Sequence, residues 1–224
     1  MRLISIARAL VATVMVVVML GLSACVSTAV AVDDRDPDAV RVAFYGDSYT
    51  RGTGASVQEL RWATVLSEQR EWSEFNPSVS GLGYARNRAI VGDGDLPSLI
   101  IADNPDVVIV TMGLNDNFTF ESQADEIRAN ISTDLTRLAT ELPDARLVVV
   151  EPFWFKDERP ESVEIIISWV RAAAAEVDAD YIAHASYWLE GHPEWMSSDD
   201  LHPNDAGHAA IAGQMDRALR ALQL

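Results

Sequence analysis

The stretch Asp106-Val-Val-Ile-Val-Thr-Met112 constrains the fold more than any other part of the chain. Val107 to Val110 are all β-branched, so the segment reads as a strand. A strand with one wet face alternates apolar and polar residues. This one does not alternate, so both of its faces must be covered, as in a parallel sheet clothed by helices. The flanking sequence agrees. Val42–Tyr45, Leu147–Val150 and Tyr181–Ala183 predict further strands, with a weaker one over Phe75–Ser80. Between them lie helical patterns over Val57–Gln69 (Ser56 as N-cap, Glu59 three residues on), Leu96–Ala102, Glu121–Leu142, Glu161–Val177 and Asn204–Leu222. Strand alternating with helix requires right-handed crossovers, which predicts a three-layer α/β/α sandwich around a doubly wound, mainly parallel five-stranded sheet. Ligands of such sheets sit beyond the carboxyl ends of the strands.

Composition removes several classes of function. The chain has 224 residues, 17 basic against 34 acidic, and a formal charge of -17. Lys156 is the only lysine and no basic stripe exists, so the counterion release that drives nucleic-acid binding has no source. Half the residues are hydrophobic and the acids are dispersed, which argues against disorder. The single cysteine allows neither an internal disulfide nor a cysteine-rich metal cage.

The amino-terminal segment gives an address. Arg2 and Arg8 precede an apolar run from Leu10 to Leu22 that ends in Leu22-Ser23-Ala24-Cys25. A charged start, a short apolar middle and small residues at the cut read as a signal peptide over 1–24. The last four residues resemble a bacterial lipobox, which implies lipidation of Cys25, cleavage before it, and a lipid anchor in the cell membrane. Residues 25–40 then form a tether and 41–224 the folded domain. The rival reading is a retained membrane helix. Both readings leave the arginines inside and the rest of the chain facing out. Cleavage would deepen the charge to -19, so an acidic body on an Asp-, Ser- and Ala-rich tether would be repelled by an anionic leaflet.

Each predicted strand end carries a chemical group. Gly46-Asp47-Ser48 follows the first strand, Gly81-Leu82-Gly83 the second, Gly113-Leu114-Asn115-Asp116 the third, and Asp199-Asp200-Leu201-His202 precedes the last helix. Alone, each is a common turn or cap. In this order they resemble the SGNH, or GDSL-type, hydrolase family over residues 41 to 212. A serine hydroxyl is a poor nucleophile at neutral pH and needs a base, for which imidazole is suited. Ser48 is therefore the candidate nucleophile and His202 the base. Asp199, three residues earlier, is placed to fix the imidazole tautomer, with Asp200 as competitor.

The resemblance implies an oxyanion hole from the Ser48 and Gly81 backbone N–H groups and the Asn115 side-chain amide, with Gly83 as a rival to Gly81. It also implies a serine ester hydrolase working through an acyl-enzyme, without metal or organic cofactor, and a flavodoxin-like order of strands. The family's substrates include acetylated glycans, short esters and lysophospholipids. Its partners here would be an ester substrate and the membrane, with no nucleic acid and no obligate protein partner. A non-catalytic glycan-binding lipoprotein on the same fold is the rival from another class. Tyr49 departs from the family, which has leucine there, a change expected to affect packing more than chemistry.

Other residues have plainer readings. His208 suits packing in the last helix, while His184 and His192 show no partner pattern. The histidines lack the compact spacing of a zinc site. Phe153-Trp154-Phe155, Tyr187-Trp188 and Trp195 either line the cleft or fill the core.

Overall fold

The computed structural model describes residues 38–92 and 94–224. The expected signal peptide, Cys25 and most of the tether lie outside the described residues. Five strands, β1 (Arg41–Tyr45), β2 (Ser73–Phe75), β3 (Val107–Val110), β4 (Arg146–Val150) and β5 (Asp180–Ile182), form one sheet in the order 2-1-3-4-5. All four pairings are parallel, with Tyr45 opposite Val110 and Val110 opposite Val149.

The unbroken apolar strands take their meaning from the two helical layers. Val42, Phe44, Val107, Ile109, Val148 and Val150 face one cluster with Trp62, Leu66, Ile211, Met215 and Leu219. Those residues come from α2 (Trp62–Gln69) and α6 (Asp205–Ala221). Ala43, Tyr45, Val108, Val110 and Val149 face a second cluster with Ile100, Ile127, Ile131, Leu135 and Val170. These belong to α3 (Leu96–Asp103), α4 (Phe120–Glu141) and α5 (Glu161–Glu176). The four residues of β3 are at most 3% exposed, so neither face has room for a polar side chain. Each buried valine or isoleucine there contributes roughly 1.5–3 kcal/mol.

Two sequence expectations are corrected. The second strand is Ser73–Phe75, and residues 76–80 form no strand. Pro77 cannot donate to a ladder, and an edge strand needs no apolar run on both faces, so the polar Ser73-Glu74 concealed it. The helix expected from Val57 starts at Trp62, after a 3-10 turn over Gln58–Leu60. Extended backbone at Arg61 separates the two. Ser56 caps nothing there: its N–H and hydroxyl donate to the Asp205 carboxylate at 2.7 and 2.8 Å.

The strand order decides where a site can form. From β1 the chain goes to β2 on one side and returns to β3 on the other. The crossovers therefore diverge at the carboxyl ends of β1 and β3 and leave a crevice between them.

Candidate active site

Ser48 stands at that crevice, three residues beyond β1, as the first residue of the short helix α1 (Ser48–Arg51). The turn is tight. A side chain on Gly46 would lie 2.4 Å from Thr50 Oγ1 and 2.6 Å from Thr111 Oγ1, so only glycine fits between α1 and the end of β3. Asp47 caps α1 by accepting the Tyr49 N–H at 3.0 Å. Ser48 itself is only 4% exposed.

His202 approaches from the opposite bank. Its Nε2 lies 3.0 Å from Ser48 Oγ, and its Nδ1 lies 2.7 Å from Asp199 Oδ2. Those partners set the tautomer: Nδ1–H donates to the carboxylate and Nε2 accepts the serine proton. The turn carrying them is tied mainly to itself. Asp199 Oδ1 accepts the N–H groups of Leu201 and His202 at 3.0 and 2.9 Å and the Ser197 hydroxyl at 2.8 Å. Partial burial would raise the Asp199 pKa. The His202 ring and these N–H and O–H donors outweigh it and hold the carboxyl well below the usual range. Asp200 points no acceptor at the ring. It turns the chain in the left-handed region at φ 53°.

The other predicted residues gather on the Ser48 side. Asn115 opens the 3-10 turn after β3 and donates its amide to Asp47 Oδ2 at 3.1 Å and to the Leu82 carbonyl at 3.0 Å. Asp47 is 1% exposed. Burial, reinforced by the nearby Asp116 carboxylate, raises its pKa to about 7 against the donors Tyr49 N–H and Asn115. Gly81 lies six residues past β2, not directly after it. Its φ of 79° is a left-handed conformation that favours glycine, although a side chain would have space there. Gly83 is glycine for another reason: a Cβ would sit 2.4 Å from Asp116 Oδ1. Its N–H already donates to the Arg86 carbonyl at 2.9 Å, so it is committed to the turn.

Two residues named in the sequence shape the crevice in ways its spacing did not show. Asp116, fully buried, accepts the N–H groups of Tyr84, Ala85 and Arg86 at 2.7, 2.9 and 3.2 Å and so folds the loop after Gly81. Its burial raises its own pKa. Its adjacency to Asn115 was the available signal. Tyr49 is fully buried, stacks on Phe153 at 5.7 Å, and donates its hydroxyl to the Leu201 carbonyl at 2.6 Å. The packing role expected of Tyr49 is there, and the hydroxyl adds a hydrogen bond that leucine could not make.

Among the histidines, His208 is buried, with Nδ1 accepting the Trp62 N–H at 3.4 Å and Nε2 donating to the Thr53 carbonyl at 3.2 Å. Burial lowers its pKa. His192 does have partners, namely Glu194 at 2.8 Å and the face of Trp195 at 3.6 Å. The His184 N–H donates to the buried Glu151. Phe153 and Trp154 are core residues at 2% and 3% exposure. Phe155 lines a cavity of about 260 Å³ with Leu189, Met196 and Asp200, beside the histidine turn. A broader depression of about 680 Å³, lined by Asn117, Phe118, Phe120, Pro160 and Ile165, opens past Asn115. Among the described residues no cluster of three or more His, Cys, Asp or Glu could hold a metal ion, and no helix is long and apolar enough to cross a membrane.

A serine–histidine–aspartate chain at the switch point of a parallel sandwich defines a serine hydrolase of the α/β class. More narrowly, the chain belongs to the GDSL-like lipase/acylhydrolase family, whose model matches residues 44–210, and it is a serine ester hydrolase. It is 28% identical over 190 residues to the GDSL lipase Rv0518 of Mycobacterium tuberculosis, covering 78% of this chain and 79% of that one. To the thioesterase 1/protease 1/lysophospholipase L1 of Escherichia coli it is 26% identical over 185 residues, covering 79% and 82%. Its fold is similar to that of the acetylxylan esterase Axe2 from Geobacillus stearothermophilus, with a TM-score of 0.60 at 19% identity over 80% of this chain and 93% of that one.

Proposed function

We propose that the protein cleaves carboxylic esters by double displacement, with Ser48 as nucleophile, His202 as general base and then acid, and Asp199 as the group that orients and stabilises the imidazolium. The hydrogen-bonded chain from Ser48 Oγ through His202 to Asp199, at 3.0 and 2.7 Å, carries this reading. Proton transfer from Oγ to Nε2 accompanies attack on the acyl carbon. The same proton then goes to the departing alcohol, and water repeats the sequence on the acyl-enzyme. Negative charge on the former carbonyl oxygen is met by the Ser48 and Gly81 N–H groups and Asn115, each donor contributing about 3 kcal/mol. Asn115 already spends its two hydrogens on Asp47 and Leu82, so the oxyanion shares one of them. Gly83 is set aside because Arg86 holds its N–H.

The substrate reading is a short acyl group, acetyl above all, on an alcohol as large as a sugar. The likeness in fold to an acetylxylan esterase supports it. The sequence of residues 1–25 supports an extracytoplasmic enzyme held by a lipid on Cys25. The test compares p-nitrophenyl acetate with p-nitrophenyl octanoate on the protein from residue 25 onward with Cys25 replaced. The expected result is a kcat/KM at least about tenfold higher on acetate, a discrimination within reach of pocket shape. Preference for octanoate would instead favour lysophospholipids or other lipid esters, and no activity on either would favour a binding protein. Metabolic palmitate labelling that survives Cys25→Ala would remove the anchor.

A further inference from the structure

The turn that carries Asp199 and His202 is stitched largely within itself. Ser197 N–H donates to the His202 carbonyl at 2.8 Å, Ser197 Oγ lies 2.9 Å from the same carbonyl, and Asp200 N–H donates to the Ser197 carbonyl at 3.0 Å. These bonds set the shape of the turn but not its distance from Ser48. Farther along, Ser56 and Thr53 meet Asp205 and His208 and so fix the start of α6, not the imidazole. One buried side chain joins the two banks next to the imidazole. The Tyr49 hydroxyl donates 2.6 Å to the carbonyl of Leu201, the residue before His202. Its ring is wedged parallel to Phe153, 5.7 Å away at 19°, and lies 6.1 Å from the His202 ring. Its own N–H is bound to Asp47, so the residue following the nucleophile is pinned at both ends.

We infer that Tyr49 is a positioning residue that sets the reach of His202 to Ser48: its hydroxyl clamps the histidine turn through Leu201, in place of the leucine expected beside the nucleophile. The inference rests on the triad reading above. Leucine could fill the space but could not donate. Burial keeps the phenol protonated, since it pushes the Tyr49 pKa well above the ordinary tyrosine value, with the Asp47 and Asp199 charges adding to it. The bond is therefore made at every pH where the enzyme would work.

Y49F removes one oxygen and keeps the stacked ring; Y49L removes both. For each variant we would measure kcat and KM on p-nitrophenyl acetate per folded molecule, the low-field proton resonance of His202 Nδ1–H, and hydrogen exchange of 197–203 against α6. The clamp predicts that kcat falls about tenfold in both variants with KM within about twofold, since small misplacements of a catalytic base act on the chemical step. The low-field resonance should broaden and exchange should quicken in the turn while α6 is unchanged. Wild-type kcat in Y49F, or a loss confined to Y49L, overturns the clamp in favour of plain packing. So does a kcat loss with an unmoved resonance and unchanged exchange in the turn. If Y49F is too unstable to assay, wild-type kcat in Y49L still overturns the clamp, and F153L, which disturbs the stacked ring but keeps the hydroxyl, takes the place of Y49F: the clamp predicts a smaller kcat loss in F153L than in Y49L, and equal losses overturn it in favour of plain packing. S48A separates this inference from its foundation. Retained activity in S48A sinks the triad itself, whereas an inactive S48A beside a fully active Y49F sinks only the clamp.

Discussion

The two banks of the crevice are built by different physics. On the Ser48 bank, Asp47 is 1% and Asn115 6% exposed, and Gly46 is packed against Thr50 and Thr111 with no space for a side chain. On the other bank the Asp199 side chain is 50% exposed and that of His202 15%. The first bank is preorganised by burial in the sheet edge. The second is held by hydrogen bonds inside one turn, with the Tyr49 hydroxyl reaching across. Charge follows the same division: burial pushes Asp47 up to about 7, while donors hold Asp199 down, so the orienting carboxylate is ionised throughout the neutral range. In the proposed mechanism the second carboxylate must be charged and the oxyanion donors fixed, and each bank would supply one of these.

Variants break the comparison in order of size. S48A should lower kcat by on the order of a millionfold, leaving the residual rate that donors and binding supply. Steady-state rates on p-nitrophenyl acetate check this. D199N keeps the shape of the turn but loses the acceptor that fixes the tautomer, and kcat should drop by about a thousandfold or more. A loss below tenfold would mean Asp200 or solvent can serve. D47N acts on the opposite bank. Its new N–H₂ would face the Asn115 amide, donor against donor, and so turn the oxyanion donor away. A loss of about 10–100-fold in kcat is expected, near the cost of weakening one oxyanion donor, and an unchanged kcat would detach Asp47 from the site.

The smallest effect is on stability against pH. A carboxyl raised in the folded state binds its proton more tightly folded than unfolded, so its contribution is favourable below the unfolded value and is lost as pH rises through the folded one. For Asp47 that window runs from about 4 to about 7. Denaturation at pH 4.5 and 7.5 should show wild type losing about 3 kcal/mol more than D47N across this range. Equal slopes would contradict the raised carboxyl.

What the sequence disclosed follows the same divide. β1, β3 and β4 were readable because burial on both faces forbids alternation, and their ends located Ser48 and Asn115. β2 was not, because its short edge position permits Ser73 and Glu74. Asp199 and His202 were legible as a pair since three residues of turn bring them together. Contacts between distant parts of the chain leave no such trace. Asn115 meets Asp47 across 68 positions and Tyr49 meets Leu201 across 152, and no local spacing encodes either. The bond from the Gly83 N–H to the Arg86 carbonyl, on which the proposed preference for Gly81 rests, likewise has no signature in the spacing. Of the aromatic cluster, Phe153 and Trp154 went to the core, because the strand that precedes them runs straight into the layer against Trp62 and Tyr49.

The central claim is that Ser48 attacks and that His202 makes it able to. The most direct measurement is mapping of a fluorophosphonate adduct by mass spectrometry on wild type and H202A, both shown to be folded. The account predicts a single adduct on the Ser48 peptide in wild type, formed at least about a thousandfold more slowly in H202A. An adduct on another residue, or equal labelling rates in the two proteins, would contradict it.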